Sequence, residues 1–205
     1  MDGSATEVRK GRKFDQVVAG AREVFLRDGF DGASVDEIAR AAGVSKATLY
    51  NYFPDKRLLF MEVGKAQCRA QAEEAIASID TSLPPQVVLT EAGRRFLDII
   101  FSDLGIQTYR VCVNEAERFP ALAREFYETG PQLMREALLA YFDAAAARGE
   151  IRIGDRFRMA DQFGELCKAR LHMELLLGLR STVTQAEREI AIDDAVETFL
   201  ARYGV

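Results

Sequence analysis

Lys46, Ala47, Tyr50 and Asn51 stand one, three and four positions apart, the spacing that gathers side chains on one face of a helix. Their groups are those that read the edges of base pairs. An ammonium donates to guanine O6 and N7, a carboxamide pairs with adenine, and a small methyl meets the thymine methyl. Ser45, Thr48 and Tyr52 add hydroxyls for phosphate oxygens, and Lys56 adds a cation in the first turn of the next helix. No catalytic chemistry accompanies them. With a single His and three scattered cysteines, Cys68, Cys112 and Cys167, the chain has neither a zinc set nor a CxxC pair. It shows no nucleophile–base pair and no phosphate-cradling glycine loop, so neither an enzyme nor a cofactor or metal is expected.

The elements that must position these residues are legible around them. Ser34-Val35-Asp36-Glu37 reads as a capping box that opens a helix. Ala39, Gly43 and Leu49 have the spacing of a helix-turn-helix, and each has a mechanical role. Ala39 is small where two helices cross, Gly43 takes the positive φ of the tight turn, and Leu49 anchors the second helix. Ile38, Val44 and Phe53 complete the apolar side. Ser45 is the expected N-cap of a short helix from Lys46 to Phe53. Pro54 is expected to stop that helix and start a longer one reaching Ser78. Ahead of the motif, Val17, Val18, Ala21, Val24 and Phe25 recur at helical spacing from Phe14 to Arg27. Gly29 is expected to end that helix in a left-handed C′ position, with Phe30 packing back on the last turn.

The remainder reads as helix throughout, with almost no strand signal. Thr81-Ser82-Leu83-Pro84-Pro85 is a linker. An apolar stripe from Pro131 to Arg148 ends at Gly149. A further helix is expected from Arg156 to Gly178. Thr184 to Glu187 is a second capping box, opening a helix with Ile192, Val196, Phe199, Leu200 and Tyr203 on one face. The expected organisation is all-α: a basic arm over 1–11, a helix-turn-helix domain over 12–60, a connecting helix over 61–80 and a helical domain over 81–205.

Charge divides along the same line. Residues 1–60 hold 10 Lys/Arg against 9 Asp/Glu, whereas residues 61–205 hold 17 against 23. Arg9, Lys10, Arg12 and Lys13 concentrate the positive charge at the N-terminus, which suits contact with phosphate. No apolar run approaches the ~20 residues of a membrane span, and the polar opening MDGSATEVRKGRK has no secretory pattern. A cytoplasmic protein is expected. Its cysteines then read as buried or half-buried thiols, with redox sensing as the alternative.

The stretch from Lys13 to about Gly64, including AREVFLRDGFDGASVDEIARAAGVSKATLYNYFPDKRLLF, resembles the DNA-binding domain of the TetR/AcrR regulators, and GVSKATLYNYFPDK is its most specific part. NEAERFPALAREFYETGP, from Asn114 to Pro131, is similar to the AefR-like subgroup. The resemblance implies an N-terminal three-helix DNA-binding domain and a C-terminal helical bundle for ligand binding and dimerisation through its last two long helices. It places Ser34, Ser45, Lys46, Ala47, Thr48, Tyr50, Asn51, Tyr52 and Lys56 at DNA-contact positions. Its partners would be a palindromic double-stranded operator, a second copy of the chain and a small apolar effector. Phe101, Tyr109, Cys112, Phe126, Tyr127, Met159, Phe163 and His172 can line the effector pocket, or serve as ordinary core residues. The expected function is a ligand-responsive repressor. An activator of the same family, a helical-bundle enzyme and a helical protein-interaction module are the alternatives. The enzyme would need a titratable cluster that the chain lacks, and the interaction module would need neither the basic arm nor the Lys46/Tyr50 face.

Overall fold

The computed structural model describes residues 11–205, so Arg9, Lys10 and nearly all of the expected basic arm lie outside the described residues. Among the described residues there are eleven helices and no strand, and Ile151 and Gly204 form an isolated antiparallel bridge. The described residues divide into two compact units, the first ending at Ala66 and the second running from Gln67 to Val205. No described helix is long and apolar enough to cross a membrane.

The first unit holds α1 (Arg12–Gly32), α2 (Val35–Ala41), α3 (Lys46–Tyr52) and the opening turns of α4 (Lys56–Ser78). Phe14, Val17, Ala21, Val24 and Phe25 are the buried face of α1, as their helical spacing requires. Two boundaries differ from expectation. Gly29 does not end α1 in the left-handed C′ conformation. Its φ of 70° combines with an extended ψ of −176°, which kinks the chain, and one more helical turn follows to Gly32. That turn seats Phe30 5.0 Å from the Phe60 ring and 6.4 Å from Phe25, so the expected packing of Phe30 is kept. Helix α4 begins at Lys56 and not at Pro54. The Asp55 carbonyl accepts from Leu58 N, and its carboxylate accepts from Arg57 N at 2.9 Å, so Asp55 satisfies the free amides of the first turn.

The second unit contains the rest of α4, then α5 (Pro85–Ile100), α6 (Asp103–Glu115), α7 (Pro120–Thr129), α8 (Pro131–Ala147), α9 (Arg156–Lys168), α10 (Leu171–Leu176) and α11 (Gln185–Tyr203). Phe199 of α11 anchors its core, stacked on Phe142 at 5.2 Å and edge-on to Phe163 at 5.6 Å. Gly93 brings α5 close to α11: a Cβ there would stand 3.1 Å from Ile192 Cγ2. The Thr184/Glu187 capping box opens α11 as expected.

The single helix expected from Arg156 to Gly178 is two helices, α9 and α10, broken at Ala169-Arg170. Arg170 has φ 63° and ψ −55°, and Leu171 N donates to Ala169 O at 2.7 Å across this tight turn. The reason lies in phase. Met159, Phe163, Cys167, Leu171 and Leu175 are all buried and recur every fourth residue. A continuous helix of 3.6 residues per turn would rotate each successive member about 40° further round. Over four steps Leu175 would face nearly opposite to Met159. The break resets the phase and keeps both on the core.

Candidate nucleic-acid interface

Local hydrogen bonds build the helix-turn-helix. Ser34 Oγ accepts from Glu37 N at 3.2 Å, and the Glu37 carboxylate accepts from Ser34 N and Oγ, closing the capping box that starts α2. Gly43, at φ 64°, makes the turn, and Val44 N returns to Ala39 O at 3.0 Å. Ser45 Oγ then accepts from Thr48 N at 3.1 Å and lies 2.9 Å from Thr48 Oγ1, which caps α3. Leu49 and Phe53 are buried beneath α3.

That anchoring leaves one face of α3 outward. Lys46, Ala47, Tyr50 and Asn51 are exposed together, with Tyr50 48% exposed, a large aromatic surface for a solvated helix. The structure therefore unites on one surface the four residues expected to meet base edges. Tyr52 is half-buried, its ring edge-on to Phe14 at 6.0 Å. Ser34, Ser45 and Thr48 use their hydroxyls in the caps. Lys46 Nζ is 2.5 Å from Asp36 Oδ1, a partner that lies on the other helix and escaped the sequence reading.

Lys56 departs from the expectation of a simple phosphate contact. Its ammonium donates to Phe30 O at 2.8 Å and Ala33 O at 3.0 Å and lies 4.5 Å from the Phe30 ring centre. Two of its three N–H donors are thus used inside the unit, tying the start of α4 to the last turn of α1 and to Ala33 just beyond it. Gly20 is a second residue without a sequence signal. A Cβ on it would stand 2.4 Å from Ala42 N, so the closest approach to the end of α2 occurs there, besides the small Ala39 that was expected.

The second unit holds a cavity of about 570 Å³ that is partly open to solvent. Of the residues named for an effector pocket, Tyr109, Phe126, Tyr127, Phe163 and His172 line it. Phe101, Cys112 and Met159 do not. Phe101 and Met159 are buried in the core cluster, and Met159 accepts from Gly154 N through Sδ. Cys112 is buried on α6, away from the cavity wall. Phe96, Met134 and Leu138 complete the apolar wall, with the ion pairs Arg135–Asp161 and Lys168–Glu165 at its edge. The Lys168–Glu165 pair has i,i+3 spacing on α9, a local signal that the sequence carries. The Arg135–Asp161 pair joins α8 to α9 and had no local signal. Burial, reinforced by the charge of Lys168, pushes the His172 pKa down to about 4. Burial likewise raises the thiols, Cys68 to about 11 and Cys167 to about 12, which leaves them protonated and unreactive near neutrality. No group of His, Cys, Asp and Glu among the described residues is arranged to hold a metal ion.

Known proteins match both units. Residues 17–63 match the model of the bacterial regulatory proteins of the tetR family. Residues 87–205, more than half of the chain, match the C-terminal domain of AefR-like transcriptional repressors. The crystal structure of a putative TetR-family transcriptional regulator from Mesorhizobium loti is 30% identical with a TM-score of 0.80, over 97% of this chain and 100% of that one. The flavonoid-responsive regulator FrrA is 34% identical with a TM-score of 0.65, over 95% and 98% of the two chains. An uncharacterized HTH-type transcriptional regulator of Mycobacterium bovis is 28% identical over 147 residues, 71% of this chain and 72% of its own. With a capped helix-turn-helix in its first unit and an AefR-like second unit, the chain belongs to the tetR family of DNA-binding transcriptional regulators.

Proposed function

We propose that the protein is a cytoplasmic repressor that binds a near-palindromic operator as a homodimer and is released by a small, mostly apolar effector. The observation that supports DNA reading most directly is the face of α3, where Lys46, Ala47, Tyr50 and Asn51 are exposed above a buried Leu49. Repression rather than activation is favoured by the AefR-like repressor match over residues 87–205. One such helix reads too few base pairs for genomic specificity, so two copies act on half-sites about one helical turn (~34–36 Å), or a multiple, apart. Exposed Phe157, Met173, Leu177 and Ile190, on segments 156–178 and 184–203, supply apolar surface for the two-fold contact. The cavity supplies the effector site, and its size falls within the range of small-molecule pockets. FrrA, named as flavonoid-responsive, is a relative with a response of that kind.

Helix α4 links the two events, because it carries Lys56 at its start and lines the cavity with Cys68 and Ala72. An effector acts only through its preference for one state, and a hundredfold preference corresponds to about 2.7 kcal/mol. The test is a gel shift on the DNA flanking the gene. Lys46→Ala and Tyr50→Ala are expected to lose the specific complex while retaining the helical circular dichroism of the parent. Unchanged operator affinity in both variants refutes the assignment of α3.

A further inference from the structure

We propose that the cavity of the second unit selects a neutral, hydroxyl-bearing aromatic compound, and that His172 is the group that reads the hydroxyl. This rests on the effector reading above and adds to it the chemical class of the effector.

Charge on the wall is already cancelled. Arg135 Nε donates to Asp161 Oδ1 at 2.8 Å, and its guanidinium lies 5.7 Å from the Tyr127 ring centre. Lys168 Nζ stands 2.8 Å from Glu165 Oε1. An anionic ligand would have to compete with a carboxylate for each cation, and a cationic one with an ammonium or guanidinium for each carboxylate. In a partly desolvated site either leaves a charge poorly compensated. The wall therefore discriminates against both.

His172 is held for a different task. Its imidazole lies nearly parallel to the Phe101 ring, at 6.3 Å and 18°, and edge-on to Tyr109, at 5.2 Å and 73°. Phe101 is buried behind the wall, so it backs the imidazole and sets its plane. Among the described residues no group hydrogen-bonds the imidazole, which lines the cavity half-buried. With its pKa near 4, the ring is neutral at physiological pH and offers one N–H donor and one bare nitrogen acceptor. A ligand hydroxyl can pair with whichever of the two faces the cavity, accepting from the N–H or donating to the bare nitrogen. A ligand without one would enclose the imidazole and leave it unpaired, at a cost in affinity. Phe96, Phe126, Tyr127 and Phe163 furnish the aromatic surface around it.

The test uses naringenin, its fully O-methylated ether, unsubstituted flavanone and a flavanone carboxylate as probes. Each is titrated by calorimetry into the full chain near neutral pH, for the parent, His172→Phe and His172→Gln. Naringenin is expected to bind about tenfold or more tightly than flavanone or the ether, with the carboxylate weakest. His172→Phe keeps an aromatic ring against Phe101 and Tyr109. It is expected to bring naringenin down to the level of flavanone, with flavanone itself altered less than about twofold. His172→Gln restores part of the preference. The ladder of probes on the parent protein needs no variant, so it decides the ligand class even where a variant folds poorly. Tightest binding by the carboxylate, indifference to the hydroxyl, or an equal loss for all probes in His172→Phe overturns the inference and leaves the cavity as the effector site. Failure of all four probes to bind the parent overturns this inference; the effector reading beneath it falls only if no small apolar compound releases the protein from its operator.

Discussion

Lys46 Nζ and Asp36 Oδ1, 2.5 Å apart, join the first turns of α3 and α2 on the surface that faces outward from the helix-turn-helix. Both side chains are more than half exposed, at 54% and 61%, so the pair adds little to stability. Its consequence is for binding, because the ammonium that meets a base edge must first leave a carboxylate.

Asp36→Asn is therefore expected to raise affinity for operator and for unrelated DNA alike, by a few-fold, with stability changed by less than about 0.5 kcal/mol. The reason is removal of a negative charge beside the approaching phosphates. Fluorescence anisotropy over a salt series checks this. Weaker binding would show instead that Asp36 holds Lys46 in its reading position.

Gly20→Ala is expected to destabilise the first unit by about 1–3 kcal/mol, because the new methyl would sit 2.4 Å from Ala42 N and 2.6 Å from Ala42 Cα. The contact is with backbone, so trimming the neighbour does not relieve it. Urea unfolding of Gly20→Ala with and without Ala42→Gly tests the geometry, and recovery of stability in the double variant would contradict it.

Lys56→Met removes the donor for Phe30 O and Ala33 O and leaves two carbonyls without that partner. A loss of about 1–3 kcal/mol in denaturant unfolding is expected. The salt dependence of DNA binding should change by less than the one unit that a full phosphate contact contributes, since the ammonium points inward. A full unit lost with stability intact would restore the simple phosphate role.

His172 and Glu187 contribute two separate declines on the acid side of the stability profile, beside smaller ones from Asp28, Glu37, Asp80 and Glu189, whose pKa values are also lowered. His172 has its pKa lowered by burial and Lys168 from 6.5 to about 4. Between those values the unfolded chain takes up a proton that the folded chain refuses, so stability falls as pH drops through that window. Glu187 is held down to about 2 by Arg180 and then Thr184, against an ordinary 4.5. Its contribution is present above about 4.5 and lost as pH falls towards 2. Melting curves from neutral to acid pH should lose the first decline in His172→Phe and the second in Glu187→Gln. A profile unchanged by His172→Phe would place the first decline elsewhere.

Leu177 and Ile190 are 65% and 62% exposed. Charging them, as Leu177→Lys with Ile190→Lys, is expected to yield a monomer in sedimentation analysis at micromolar concentration. The same change should weaken binding to a two-half-site operator far more than to a single half-site. A variant that sediments as the parent does would move the dimer contact to another face.

What the sequence determined by itself is local. The two capping boxes, the Ser45 cap, the positive φ of Gly43 and the outward face of α3 each depend on residues within five positions of one another. A helix turn brings such residues together wherever it lies, so their partners could be named from spacing alone. Tertiary structure decided the rest. The sequence marks Tyr109, Phe163, Phe101 and Met159 as candidates for a pocket or a core, but does not say whether the space they meet is filled. That depends on distant residues, and the structure gives Phe163 and Tyr109 a cavity while Met159 and Phe101 meet packed core. The inward ammonium of Lys56, 26 residues from Phe30, and the approach of Gly20 to Ala42 belong to the same class. The break at Arg170 lies between the two. Its four-residue repeat is written in the sequence, yet only a core on one fixed side makes a straight helix untenable.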